Sequence, residues 1–265
     1  MSKQYFAKSE FEDRQHKVRE AMEQVGIELL LVIAPVHINY LTGASAKGYQ
    51  EFQVLFFPLE TGPLIIQSRL AEVPMLLADS LVDEVRGWGG REPEDPIEVF
   101  REILQANGYK GLKVGLEVPG YYLHPHHHNQ LVDLLGDDLV MDATDLIGNI
   151  KLIKSPAEIN YVRKAGEMVD QGMDTCIASI EPGRTERAIS AEIHHTLLAG
   201  GSDIQASPMN FLSGPRSAFA HGEPSDRALE AGDFMHIQFG AHYRRYCVTI
   251  GRQLCLGEPT QRMRD

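Results

Sequence analysis

The sequence predicts two consecutive domains, an α/β domain over residues 1–150 and an α+β domain over residues 151–265. Three observations predict them. Near the N-terminus an amphipathic helix runs into a continuous apolar strand, and strand and helix signals then alternate to about residue 145. From Pro156 the pattern changes to two long helices, and after Gly200-Gly201 to short extended runs separated by Gly and Pro. A chain of 265 residues, 43% hydrophobic and 23% charged, is long enough to bury two ordinary cores.

The elements follow in order. Ser9 and Glu12 have capping-box spacing, and Phe11, Val18, Met22 and Val25 recur on one helical face until Gly26 offers a stop. Leu29 to Ile33 is apolar at every position, as expected of a strand buried on both faces, and Pro35 ends it. Residues 53–58 and 64–67 read as a hairpin around a Glu-Thr-Gly-Pro break. Asp95 followed by Pro96 is an N-cap with proline at the first helical position, and Ile97, Phe100, Ile103 and Leu104 form the buried stripe. A strand near residues 112–116 follows, and this mixed-sheet domain closes near residues 142–149.

In the second half, Ile159, Val162, Ala165, Val169, Met173, Cys176, Ile177 and Ile180 trace one side of a helix that Pro182-Gly183 stops. A second helix spans about 185–198, and extended runs are expected at 209–212, 234–238 and 246–256.

Composition excludes several classes. No apolar stretch approaches the roughly 20 residues of a membrane span, and the N-terminus lacks a secretory pattern, so a cytoplasmic protein without membrane contact is expected. Three cysteines without a C-x-x-C pair argue against a disulfide framework or zinc knuckle. A formal charge of -12 and the lack of a basic run interleaved with aromatics argue against nucleic acid as a partner. The histidines of HPHHHNQ at 124–130 lack the carboxylate or cysteine company of a metal site and read as a solvated loop or helix start. His194 and His195 fall mid-helix, and Cys247 reads as a core residue.

Four segments then match one family in order and spacing. They are INYLTG at 38–43, KLIKSPAEINYVRKA at 151–165, EPGRTE at 181–186, and SGPRSAFAHGEPSDRALEAGDFMHIQFGAHYRRYCVTIGRQLCLGEPT at 213–260. The chain resembles the creatinase and aminopeptidase P family, the pita-bread hydrolases of peptidase family M24. That resemblance implies a ribonuclease-H-like α/β N-terminal domain and a pita-bread α+β domain, the latter incomplete, because further helices, a histidine and two glutamates of the family pattern lie beyond residue 265. An unfinished sheet is expected to leave an edge and an apolar face uncovered, so the second domain is expected to be marginal.

In metal-dependent relatives two aspartates on neighbouring strands share two cations and generate hydroxide. The matching positions here are Gln238 and Thr249, both neutral, and neither an amide nor a hydroxyl compensates two cations. The resemblance therefore implies no metal and no other cofactor, with a divalent metal only in the peptidase alternative. His221 matches the catalytic histidine of creatinase, and an imidazole can take a proton from water and return it to a leaving nitrogen. His221 alternatively binds a substrate carbonyl or caps the Gly222 turn. Gln238, His236 and Thr249 are the candidate substrate-binding residues, His236 because alternate strand residues share a face. Gln238 alternatively is a satisfied strand residue, and Arg252 is read as structural.

The expected function is a metal-independent hydrolase of a C–N bond in a small nitrogenous compound, as in creatinase or ectoine hydrolase, with these 265 residues inactive when tested alone. The alternatives are an Xaa-Pro aminopeptidase- or dipeptidase-like metallopeptidase and a non-catalytic binding protein or pseudoenzyme fragment. The expected partners are a small-molecule substrate or short peptide and a second copy in a homodimer.

Overall fold

The computed structural model describes residues 5–45, 50–60, 62–90, 95–203 and 208–264, in two compact units, residues 1–153 and 154–265. In the first unit a six-stranded mixed sheet has helices on both faces. Its strands are β1 (Leu29–Val32), β2 (Val54–Pro58), β3 (Ile65–Arg69), β4 (Glu84–Trp88), β5 (Val114–Leu116) and β6 (Leu139–Asp142), in the order β4-β3-β2-β1-β5-β6. The expected hairpin is β2-β3, antiparallel with Leu55 opposite Ile66, and Thr61 of its turn lies outside the described residues. β1 runs antiparallel to β2 and parallel to β5.

Alternation sorts the strand residues into two cores. Leu29, Leu31, Val54, Phe56 and Ile65 pack under α4 (Pro96–Ala106) and α5 (Pro125–Leu135). Leu30, Val32, Leu55, Phe57 and Ile66 pack under α1 (Lys8–Val25), α2 (Pro35–Thr42), α3 (Val73–Asp79) and α6 (Thr144–Lys151). Phe56 and Phe57 are both fully buried on opposite faces, each contributing about 1.5–3 kcal/mol of burial. At the end of β1 the buried Glu117 accepts from the backbone N–H groups of Ile33 at 2.8 Å and Ala34 at 2.9 Å, and pairs with His37 Nδ1 at 2.6 Å. This clamps β1 to the segment that follows β5.

Two local expectations change. Helix α1 begins at Lys8 with Ala7 as an N-cap that makes no side-chain bond, so Ser9 is already inside the helix and its capping box does not form. Val25 is exposed, and Arg14 is buried in the face instead, donating to the Tyr40 carbonyl at 3.1 Å and lying over the rings of Phe6 and Tyr40. Gly26 ends the helix in the left-handed region at φ 75°, as expected. Asp95 caps α4 by accepting from Ile97 N at 2.9 Å. No helix among the described residues is long and apolar enough to cross a membrane.

The histidine run is the start of α5, with His124 at its N-cap. His127 packs edge-on against Phe52 with ring centroids 5.0 Å apart, sits 3.9 Å from the His126 ring, and has a buried Nδ1 without a hydrogen-bond partner. Burial first, then His126 and His124, hold its pKa below the ordinary imidazole range, opposed by Asp95 and Glu51. The unfolded chain therefore binds the proton more readily, so this contribution is complete above about pH 6.5 and is lost as pH falls below it. Urea unfolding followed at Trp88 is expected to show stability falling with pH by at most about 1.4 kcal/mol per unit from this residue. His127→Leu is expected to flatten the slope, and equal slopes for the two proteins would contradict the assignment.

In the second unit the sheet β7 (Asn210–Ser213), β8 (Phe234–Tyr243) and β9 (Tyr246–Cys255) is antiparallel, in the order β7-β8-β9. Helices α7 (Pro156–Ser179) and α8 (Glu186–Ala199) cover one face, and a last short helix, α9, spans Gln261–Arg264. Phe211, Met235, Ile237 and Phe239 meet Val169, Met173, Ile189 and Ile193 in this core. Ile177, assigned to the buried stripe of α7, is 54% exposed, whereas Glu158 and Tyr161 are buried. Tyr246 donates to Glu158 Oε1 at 2.7 Å and Arg244 to the Tyr161 hydroxyl at 2.9 Å, which turns the helix start towards the β8-β9 hairpin. That hairpin turns through Arg244 and Arg245, at φ 50° and 70°.

Candidate active site

The face of β7-β8-β9 that the helices leave uncovered carries the candidate residues. Met235, Ile237 and Phe239 point into the core, so His236 and Gln238 point the other way and are half-buried. In register, Asn210 and Gly251 flank Gln238, Leu212 and Gln253 flank His236, and Thr249 sits opposite Gly240, diagonal to Gln238. Gln238, His236 and Thr249 are thus brought onto one face, with Thr249 at its exposed side. Arg252 pairs with Ile237 and lies on the other face, its guanidinium donating to the Gly251 carbonyl at 2.8 Å.

His221 is exposed on a loop that is hydrogen-bonded along the outer edge of β7. Gly222 donates its N–H to Asn210 Oδ1 at 3.0 Å, and its carbonyl accepts from Phe211 N at 3.2 Å. A Cβ at Gly222 would lie 2.4 Å from Cδ2 of the buried Leu212, so a larger residue would force that side chain to shift. The Gly222 N–H fixes Asn210 Oδ1 towards the loop, which directs Asn210 Nδ2 at Gln238 Oε1 over a long 3.5 Å contact. Gln238 Nε2 is then the end of that amide left to donate to a ligand.

The loop owes its shape to Glu186, fully buried at the start of α8. Its Oε1 accepts from Ser213 N at 2.8 Å and Ser213 Oγ at 2.6 Å; its Oε2 accepts from Ser225 N at 2.8 Å, Ser225 Oγ at 2.6 Å and the Arg216 guanidinium. Burial pushes the Glu186 carboxyl up, but the hydrogen bonds from Ser213 and Ser225 outweigh it and hold the group below its ordinary range. Arg216 also donates to the Glu223 carbonyl at 2.8 Å. One carboxylate thus ties together β7, the turn after it and both sides of the His221 loop. Beside it Arg227 pairs with Asp233, and Gly214, at φ 53°, leaves the room they need: its Cβ would fall 2.6 Å from Arg227 Nη2.

Sequence reasoning missed three of these residues. Glu186 was visible only as the last letter of a motif, and Asn210 carried no signal before the β7-β8 pairing was known. His242 extends the alternation of 236 and 238, so the strand period could have found it; burial first holds its imidazole below the ordinary range, reinforced by Arg245 and opposed by Asp203. Cys247, expected in the core, is exposed, because it pairs with His242 near the hairpin end on the face the helices do not cover.

The chemistry this face offers is hydrogen bonding and proton transfer. It presents the amides of Asn210 and Gln238, the hydroxyl of Thr249 and the imidazoles of His236 and His242, a donor set that does not fit a pair of divalent cations, which needs bridging carboxylates. Among the described residues no group of three or more His, Cys, Asp or Glu side chains is placed to hold a metal ion.

The Creatinase/Prolidase N-terminal domain family matches residues 14–153, and Metallopeptidase family M24 matches residues 160–265. An Xaa-Pro dipeptidase of Pyrococcus horikoshii is 26% identical over 94% of this chain and 66% of its own length. The crystal structure of a dipeptidase from Mycobacterium ulcerans superposes with a TM-score of 0.81 at 26% identity, over 97% of this chain and 67% of that one. Aminopeptidase P from E. coli shares the fold with a TM-score of 0.75 at 20% identity, over 97% of this chain and 64% of that one. The chain spans about two thirds of the length of the relatives it matches. It belongs to the creatinase and aminopeptidase P family, with the creatinase-type N-terminal domain followed by residues of the pita-bread M24 domain.

Proposed function

We propose that the protein as produced by its source hydrolyses a C–N bond of a small nitrogenous compound without a metal ion, using His221 as general base and then acid, and that the 265 residues tested alone do not. The observation that carries this reading is the relay from Gly222 through Asn210 to Gln238, which places an amide donor where metal-dependent relatives are expected to carry an acid. His221 takes a proton from water as its oxygen adds to the substrate's carbonyl or amidine carbon. Gln238 Nε2 donates to the heteroatom on which negative charge develops. The same proton passes to the leaving nitrogen, the C–N bond breaks, and the products are an amine and either an acid or a urea-type carbonyl compound. Thr249 and His236 supply further contacts along the substrate. A cytoplasmic homodimer belongs to the same proposal.

The second reading, favoured by the Xaa-Pro dipeptidase relatives, is cleavage of short proline peptides with a cation held by other ligands. The protein purified from its source is to be assayed on Xaa-Pro dipeptides and on creatine- and ectoine-like compounds, with and without a chelator. The proposal expects turnover of a small compound that the chelator leaves unchanged. Dipeptide hydrolysis lost to chelator and restored by a divalent cation would replace it with the second reading.

A further inference from the structure

Helix α1 presents Lys8, Gln15 and Arg19 along one stripe above residues 62–64, Leu81 and Asp83, lining an open cavity of about 500 Å³ at the surface of the first unit. Phe11, Pro63, Leu64 and Leu81 give it apolar walls. Arg19 is held at two points: its Nε donates to the Pro58 carbonyl at 3.3 Å, and its guanidinium carbon lies 4.7 Å from the centre of the buried Phe57 ring. The two Nη groups remain as a planar fork.

Other arginines withdrawn from water in this protein meet an acid: Arg14 meets Glu10, Arg184 Glu192, Arg216 Glu186, and Arg227 Asp233. Arg19 is half-buried and forms no ion pair among the described residues, and burial lowers its pKa. A cation withdrawn from water without a counter-ion costs stability. The fork geometry of guanidinium matches a carboxylate in two parallel hydrogen bonds. Glu12 and Asp83 also line the cavity and disfavour a doubly charged anion, and Lys8 is engaged by Glu12 at 3.1 Å.

We propose that this cavity binds a small molecule carrying one carboxylate, which takes the Nη fork of Arg19 while an apolar body rests on Phe11, Pro63 and Leu81. The site lies in the creatinase-type unit and is built from residues distinct from those of the candidate active site. Gln15, whose Nε2 is committed to the Leu41 carbonyl at 2.9 Å, offers its Oε1 as an acceptor at the wall.

Fluorine NMR line broadening with para-fluorobenzoate as the probe tests the site on the whole chain, with neutral para-fluorobenzamide as the matched control. The expected result is binding of the benzoate at about millimolar affinity, at least about tenfold weaker binding of the benzamide, and a similar loss for the benzoate in Arg19→Gln. Trp88 fluorescence reports whether the variant's first unit stays folded; if it does not, the benzoate-to-benzamide comparison on the unaltered protein decides alone. Equal binding of both probes, unchanged benzoate binding by a folded Arg19→Gln protein, or no benzoate binding into the tens of millimolar would each overturn the proposal. Competition by inorganic phosphate as strong as by acetate would overturn the single-charge specificity.

Discussion

Glu186→Ala is expected to destabilise the second unit by about 3–5 kcal/mol while leaving the first unit's unfolding unchanged. The substitution removes the acceptor for five hydrogen bonds at once and strands the part-buried Arg216 beside two serines whose backbone N–H groups lose their partners. Buried donors without acceptors cost about 1–3 kcal/mol each before relaxation. The loss is a large share of the 5–15 kcal/mol typical of a whole domain. Glu186→Gln is not a conservative rescue, because its NH₂ end would face the donors of one side or the other, and only a carboxylate accepts at both ends.

The single tryptophan, Trp88, lies in the first unit, whereas the long helices α7 and α8 lie in the second. Far-UV circular dichroism, to which α7 and α8 contribute, should show an early transition in the variant while tryptophan fluorescence keeps its wild-type midpoint. Coincident transitions at the wild-type midpoint would contradict the role given to Glu186. Its depressed pKa sets the sign of the pH effect: the contribution is complete above the unfolded-state value near 4.3 and is lost as pH falls through the lower folded-state value.

The second large effect concerns chemistry alone. His221→Ala, made in the protein as produced by its source, is expected to lower kcat by about 10²–10⁴, the range of a lost general acid–base, without moving either unfolding transition. His221 is exposed on its loop, and surface substitutions of this kind change stability by about 0.5 kcal/mol or less. Loss of the lower limb of the pH–rate profile in the variant would accompany a catalytic role, whereas a residue that only binds substrate would raise KM and leave the profile in place. A kcat unchanged within about threefold would remove His221 from the mechanism.

Much of the fold was legible because its signals are local. The Asp95-Pro96 start of α4 and the Gly26 stop of α1 depend on neighbouring residues only, and both form as expected. The two Ser-x-x-Glu signatures show where local reading fails. Ser155 and Glu158 form a complete capping box because Pro156 fixes the first helical residue. Ser9 has no such neighbour, and α1 starts ahead of it. On the candidate site, alternation along β8 was enough to group His236 with Gln238, but placing Thr249 needs the two-residue turn at Arg244-Arg245 that sets the β9 register. Asn210 and Glu186 act over sequence separations of 12 and 27, to Gly222 and Ser213, and no period or spacing in the sequence encodes those returns.

The clamp at Glu117 gives the first unit something its central strand lacks. Leu29, Leu30, Leu31 and Val32 are chemically alike, so sliding β1 by one residue would exchange its two faces with almost no change in what each face buries. A run of that kind carries hydrophobicity but no reading frame. The bonds from Glu117 to the Ile33 and Ala34 amides distinguish one alignment from its neighbours, because a slipped strand would present the wrong amides and leave a buried carboxylate unanswered. The frame of the most apolar strand is thus written by an acid that follows a different strand.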